Sequence, residues 1–187
     1  MSSGVFAISA GAGDIGGEID FGSLVEVEQP RLQRLATRLV RDEDEARDLV
    51  QTTFADAYER RRSLRDPAAA GAWLRRILVS RALNQLRRRR LWHRLRGVFS
   101  PAGPEPADAA PPADALVADA RRLGAVRAHL RSLPARQAAA FTLRYLEGLG
   151  LDEVADAMGV GRGTARTHLH RALTSMRAAL ADPEEDT

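Results

Sequence analysis

Residues Leu151 to Arg171, LDEVADAMGVGRGTARTHLHR, set two short helical periods around a glycine turn, and the second carries a row of Arg, Thr and His. These side chains suit the edges of bases in a DNA major groove. Arg grips guanine through two hydrogen bonds, and Thr meets a base edge or a phosphate. On a helix Arg162, Arg166 and His170 share the outer face with Gly163 and Thr167, while Ala165, Leu169, Ala172, Leu173 and Met176 take the inner one. In the preceding helix Val154, Ala155 and Met158 face inward, and Ala155 is small enough for the two helices to cross closely. Gly159 supplies the turn, because a left-handed backbone costs glycine little. The layout is that of a helix-turn-helix DNA reader. Helical hairpins mimic the pattern, so the outward residues carry the argument for DNA.

A second set lies upstream in AAAGAWLRRILVSRALNQLRRRR, where Leu74, Leu78, Ala82 and Leu86, with Val79 and Leu83 alongside, make a buried stripe. Opposite them, Trp73, Arg76, Ser80, Asn84 and Arg87 fall within about a quarter of the helix circumference at about 100° per residue. An aromatic ring beside donors and guanidinium groups is what an unstacked base needs, through stacking and edge hydrogen bonds. Trp73 is read first as a core residue packed on the preceding helix, with stacking on a base as the alternative.

Other constellations fail. Gly11, Gly13 and Gly16 match the dinucleotide fingerprint, but Gly17 follows where a helix should begin, Pro30 interrupts what comes next, and no strand-like run recurs downstream. His93, His129, His168 and His170 lack ligand spacing, and residues two apart on a helix, such as His168 and His170, point apart. There is no cysteine, which removes disulfides and thiolate metal sites. No Ser-His-Asp or paired-carboxylate arrangement emerges. The chain therefore reads as a non-enzyme with no cofactor, no metal and no small-molecule substrate.

These elements must be positioned by 187 residues, which suits two small domains. No apolar run approaches a membrane span and the start lacks the basic opening of a signal peptide, so a soluble, cytoplasmic protein without membrane insertion is expected. The net charge of +3 hides a segregation: −5 over residues 1 to 30, +10 over 31 to 96, −4 over 97 to 120 and +2 beyond. A cluster of 18 Arg in the second of these segments fits either a polyanion partner or a solvated face. All 28 basic residues are Arg, which with the abundant Ala points to a GC-rich coding genome.

The expected fold class is all-α: two small helical domains joined by a flexible acidic linker rich in Pro and Ala. Residues 1–20 are Gly-rich and aperiodic, a mobile tail. Residues 21–96 form the first module. Asp42 and Asp44 are caps, and a break at Asp66 and Pro67 is followed by a helix starting among the alanines. Residues 97–115 form the tether, either a partly extended anionic one or an inert linker. Residues 116–181 form the second module, with Arg121, Arg122 and Arg127 exposed, Pro134 in a first helical turn and that helix ending at Gly148 or Gly150. Residues 182–187 form a C-terminal tail.

The combination resembles a known family. DLVQTTFADAY followed by WLRRILVSRALNQLRRR resembles region two of bacterial RNA polymerase sigma factors, and LRSLPARQAAAFTLRYLEGLGLDEVADAMGVGRGTARTHLHRAL resembles their region four. With only these two regions and a short linker, the chain is similar to the extracytoplasmic-function type. The resemblance implies that Asp48, Leu49, Val50, Gln51 and Phe54 belong to the helix that docks on core RNA polymerase. It implies that Leu64, Arg65, Trp73, Arg76, Ser80, Asn84, Arg87 and Arg88 meet the melted −10 element. It places Arg162, Thr164, Arg166, Thr167, His170 and Arg171 on the duplex −35 element, and by family habit it implies an anti-sigma factor as a further partner. Ser80 stands where this family often has Asn, Asn84 where Asp is common, and the loop before Trp73, PAAAGA, has no aromatic residue; all three bear on the −10 base preference. A sigma factor needs both modules and a polymerase. A stand-alone helix-turn-helix regulator would bind duplex DNA alone, usually as a dimer, for which no heptads are evident. A nucleotide-dependent enzyme would need the N-terminal glycines.

Overall fold

The computed structural model describes residues 20–95 and 124–180. The tail over residues 1–19, the linker over 97–115, the start of the second module at 116–123 and the C-terminal tail lie outside the described residues.

Helix α1, Phe21–Val40, starts at Asp20, whose carboxylate accepts from the Ser23 hydroxyl at 2.7 Å and from the Gly22 N–H at 3.0 Å. Those bonds, the Ser23 hydroxyl first, hold the Asp20 carboxyl below its usual range. Pro30 was expected to interrupt this segment, but it sits inside one continuous helix. The hydrogen bond its ring removes is offset by burial of Leu32, Leu35, Ala36, Leu39 and Val40 just beyond it. Arg41 ends α1 in a left-handed conformation, φ 63°, with its N–H donating to the Thr37 carbonyl at 2.9 Å.

Asp42 then caps α2, Glu43–Glu59, by accepting from the Glu45 N–H at 2.8 Å, while Asp44 lies in an acidic first turn that suits the positive helix start. Two 3₁₀ turns, Arg61–Ser63 and Pro67–Ala69, lead into α3, Ala70–Leu95, which begins among the alanines as expected. A side chain at Gly71 would meet the Glu28 carboxylate, 3.1 Å from an added Cβ, so α1 and α3 approach closely there.

The second half opens with α4, helical over 124–132 among the described residues, and continues with α5, Ala135–Phe141. Pro134 stands just ahead of α5, at its N-cap. The chain then widens into a π turn, Thr142–Leu146, which apolar periodicity does not foretell, and leaves it through Gly148 at φ 73°. Helix α6, Leu151–Met158, is capped when Glu153 reaches back to accept from the Gly150 N–H at 2.7 Å. Gly159, at φ 62°, turns the chain into α7, Arg162–Leu180.

The two halves share one core. Leu74, Leu78, Val79 and Ala82 of α3 belong to the same buried cluster as Leu143, Val154 and Met158, with α5 and α6 packed against α3. A smaller cluster of Leu130, Leu133, Phe141, Ala172 and Met176 holds α7 to the rest of the second half. Arginines of the first half tie into carbonyls of the second. Arg38 donates to the Leu146 carbonyl at 3.3 Å and pairs with Glu147, Arg41 donates to the Leu130 carbonyl, and Arg90 donates to the Leu133 carbonyl at 3.2 Å. Burial, then Arg131 and Arg90, push the Arg41 guanidinium down to about 10, so it stays charged at neutral pH. No strand is present among the described residues.

Candidate nucleic-acid interface

Helices α2 and α3 enclose a groove of about 850 Å³. From α3 it is lined by Trp73, Arg76, Ser80, Asn84 and Arg88, five of the eight residues expected at the −10 element. Leu64, Arg65 and Arg87 do not line it; Arg65 and Arg87 are exposed and Leu64 is half-buried. Trp73 is half-buried and packs against the core cluster while its ring still forms part of the groove wall. Both roles weighed for it are therefore open to one side chain, with one face on the core and one on the groove.

The opposite wall comes from α2. Asp48, Thr52 and Asp56 step by four along one face, joined by Arg60 and by Ser63 of the first 3₁₀ turn. Asp56 accepts from Arg81 Nε at 2.6 Å, and Glu45 accepts from Gln85 at 3.2 Å and Arg89 at 3.0 Å, so α2 and α3 are clipped together at two levels. Thr52, Asp56, Arg60, Ser63, Arg81 and Gln85 were not singled out from the sequence. The four-residue step from Asp48 to Asp56 was the signal that could have found the α2 members.

Of the residues expected to dock on polymerase, Asp48 and Gln51 are exposed, whereas Leu49, Val50 and Phe54 are buried in the shared core. Thr53, beside them, is fully buried and donates to the Leu49 carbonyl at 2.7 Å. The apolar residues of that motif thus hold α2 in place, and its outer surface is polar.

In the second half, Val154, Ala155, Met158, Ala165, Ala172 and Met176 are buried, and Leu169 and Leu173 are half-buried, as the period required. Arg162, Gly163, Thr164, Arg166, Thr167, His170 and Arg171 are all exposed on α7. Arg162 lies 3.4 Å from the Asp152 carboxylate across the turn, both side chains well solvated. The Thr167 hydroxyl donates to the Gly163 carbonyl at 3.0 Å, leaving its lone pairs outward. Arg166 and Arg171 make no hydrogen bond or ion pair among the described residues. Arg127 is exposed as expected, while Arg121 and Arg122 lie outside the described residues. The arrangement offers a solvated row of donors on one helix and a walled, polar groove built by α2 and α3 upstream. No group of three or more potential metal ligands occurs among the described residues, and no described helix is long and apolar enough to cross a membrane.

Comparison with known proteins places both regions. The family model described as Sigma-70 region 2 matches residues 24–91, and that described as Sigma-70, region 4 matches residues 123–176. The chain is 33% identical over 172 residues to the RNA polymerase sigma-E factor of Streptomyces coelicolor, covering 92% of each protein. It is 33% identical over 184 residues to the ECF RNA polymerase sigma factor SigE of Mycolicibacterium smegmatis, covering 97% of this chain and 69% of the relative. Among solved structures it resembles the sigma factor RpoE of Bartonella quintana, determined in complex with the anti-sigma factor NepR, with a TM-score of 0.64, 27% identity, and coverage of 86% of this chain and 96% of that one.

Proposed function

The chain belongs to the sigma-70 family, in its extracytoplasmic-function group, whose members bind RNA polymerase and direct promoter-specific initiation, and we propose the following division of labour among its residues. Helix α7 lies in the major groove of the duplex −35 element, with Arg166, Thr167 and His170 at base edges and Arg162, Thr164 and Arg171 flanking them. The groove between α2 and α3 receives unstacked bases of the −10 element, stacked on Trp73 and held at their edges by Arg76, Ser80, Asn84 and Arg88. Leu64, Arg65 and Arg87 border the same strand.

Promoter melting follows from that second contact. Bases reach the groove only after leaving the stack, so each captured base binds the open state and not the closed one, and the equilibrium shifts toward strand separation. Bond making stays with the polymerase. Docking on core polymerase falls to the exposed residues of α2, Gln51 and Asp48, the latter on the wall it shares with the groove, with Leu49, Val50 and Phe54 fixing the helix from within. Residues 1–20 and 182–187 form tails, and 97–115 tether the region-two module, 21–96, to the region-four module, 116–181. An anti-sigma factor completes the partners, a reading supported by the solved complex of the related RpoE.

The observation that carries the proposal is the pairing of a walled groove beside Trp73 with an exposed, unpaired Arg166 on a turn-linked helix. It is tested by run-off transcription from genomic fragments with purified core polymerase, with and without the chain. Discrete new starts appearing only with the chain support it, and their alignment yields the two elements. Sequence-specific binding of the chain alone to duplex DNA, with no new starts, would instead make it a stand-alone regulator.

A further inference from the structure

The groove between α2 and α3 is not uniformly basic along its length. The bonds from Arg81 to Asp56 and from Gln85 to Glu45 show that the two helices run antiparallel. That register sets Arg60 and Ser63 toward Trp73 and Arg76 at one end, and Asp48 toward Arg88 at the other, about 18 Å from Arg76 by the rise of α3. Between the ends the walls carry Thr52, Ser80 and Asn84, which are neutral, and one ion pair. In that pair a single Asp56 oxygen, Oδ2, accepts from Arg81 Nε at 2.6 Å and is also met by Arg81 Nη2. Both side chains are half-buried and both line the groove.

An arginine inside a nucleic-acid groove ordinarily seeks a phosphate, a contact that releases counterions and is blind to sequence. Arg81 is held from that use. Its donors are committed to Asp56, and the carboxylate cancels its charge at short range. A strand lying in the groove therefore meets guanidinium groups at the ends, where Arg60, Arg76 and Arg88 can hold phosphates. In the middle it meets hydroxyls and an amide, which suit base edges. Specificity is a difference of affinities, so it gains as much from binding withheld from wrong strands as from contacts made to the right one. With Arg81 free, the middle of the groove would hold any sequence, and the neutral donors would decide less of the binding.

We propose that Asp56 is a positioning residue that sets the specificity of the −10 groove: by neutralising Arg81 it suppresses sequence-blind binding at the level of Ser80 and Asn84. The proposal rests on the reading of the groove as the −10 site and adds to it. Asp56 touches no base and acts only through Arg81. It gives α2, otherwise assigned to polymerase docking, a part in promoter choice.

The test uses the chain assembled with core polymerase and two labelled single strands of equal length, one carrying the mapped −10 element and one its scrambled sequence. Affinities are read by anisotropy across a KCl series, with core polymerase alone as the baseline. Asp56→Ala is expected to tighten the scrambled strand by up to about fivefold, the scale of one solvent-screened ion pair, and the matched strand by less, so that discrimination falls. The slope of log affinity against log salt should steepen by about 0.7, the increment for one more charge on a single strand. Combining Asp56→Ala with Arg81→Ala should bring slope and discrimination back toward those of the unsubstituted chain, although the clip between the helices is then gone. A merely structural role requires the reverse, with Asp56→Ala weakening both strands and the double variant no better, and that result would overturn the proposal. Unchanged discrimination in Asp56→Ala, beside a Trp73→Ala variant that loses the matched strand, would remove the role of Asp56 and leave the −10 reading intact. A Trp73→Ala variant that binds both strands like the unsubstituted chain would remove the groove from −10 binding, and the proposal with it. Should Asp56→Ala fail to fold, Asp56→Asn removes the charge and keeps an acceptor for Arg81, and the steeper slope is still expected.

Discussion

Arg166→Ala separates reading from folding more sharply than any other single change. The side chain is exposed, makes no hydrogen bond or ion pair among the described residues, and leaves a helix in which alanine is at least as favourable as arginine. The melting temperature should therefore hold. A bidentate arginine–guanine contact discriminates by about 1–3 kcal/mol, so affinity for the −35 duplex relative to a scrambled one should fall by about 5- to 150-fold. Anisotropy on the two duplexes gives that ratio, run-off transcription gives promoter use, and co-elution with core polymerase gives docking. Promoter use should fall with the ratio while co-elution is unchanged. Arg162 provides the contrast, since it already leans on Asp152 at 3.4 Å in solvent, an exposed pair worth at most about 1 kcal/mol. Equal loss of co-elution and promoter use in Arg166→Ala, or an unchanged duplex ratio, would refute the assignment of this arginine to DNA.

Four further outcomes are expected. Asp48→Arg, at an exposed position on the α2 wall of the groove, should reduce co-elution with core polymerase by tenfold or more, on the order of a lost charge-assisted contact, without changing duplex binding by the chain alone. Leu78→Ala, at a fully buried position of the shared core, should cost about 2–5 kcal/mol in chemical denaturation. His168 should make the free chain lose stability as pH drops below the ordinary histidine value of about 6.5, because burial, then Arg136 and Arg171, hold its pKa down in the fold; the trend should vanish in His168→Gln and is read by chemical denaturation at several pH values. Deleting residues 1–18 should leave run-off transcription intact, and loss of all activity would revive a role for the N-terminal glycines.

The helices were legible because each buries a stripe at a fixed period. Leu74, Leu78, Val79 and Ala82 of α3 and Val154, Met158 and Ala165 around the turn all went inward as spacing required. The exposed row of α7 was legible for the same reason, as the complement of that stripe. What periodicity could not convey was which surfaces meet. The Asp56–Arg81 clip joins residues 25 apart, and the common core of α3 with α5 and α6 joins two modules that read as separate beads on a tether. The same limit explains Leu49, Val50 and Phe54, which a motif marks as one docking unit although their burial divides them from Asp48 and Gln51. Pro30 misled because its local cost is real, yet it is outweighed by packing that only the tertiary structure reveals.

The arginines show why net charge alone could not locate the interface. Clustered on the sequence, they divide in the fold into two populations. Arg38, Arg41 and Arg90 donate to carbonyls across the halves, and Arg81 and Arg89 hold α2 to α3 through Asp56 and Glu45. An arginine in that population must break a bond within the fold before it can meet a phosphate, so its charge adds to the field but its donors are taken. Arg76, Arg87 and Arg88 on α3, Arg136 on α5, and Arg166 and Arg171 on α7 have no such bond among the described residues. These donors are available without cost to the fold, and they flank the groove beside Trp73 and the outer face of α7. Arg34, Arg62, Arg127 and Arg177 are equally exposed and unbonded among the described residues, so hydrogen-bond accounting leaves donors free on the two surfaces that the family assignment requires without singling those surfaces out.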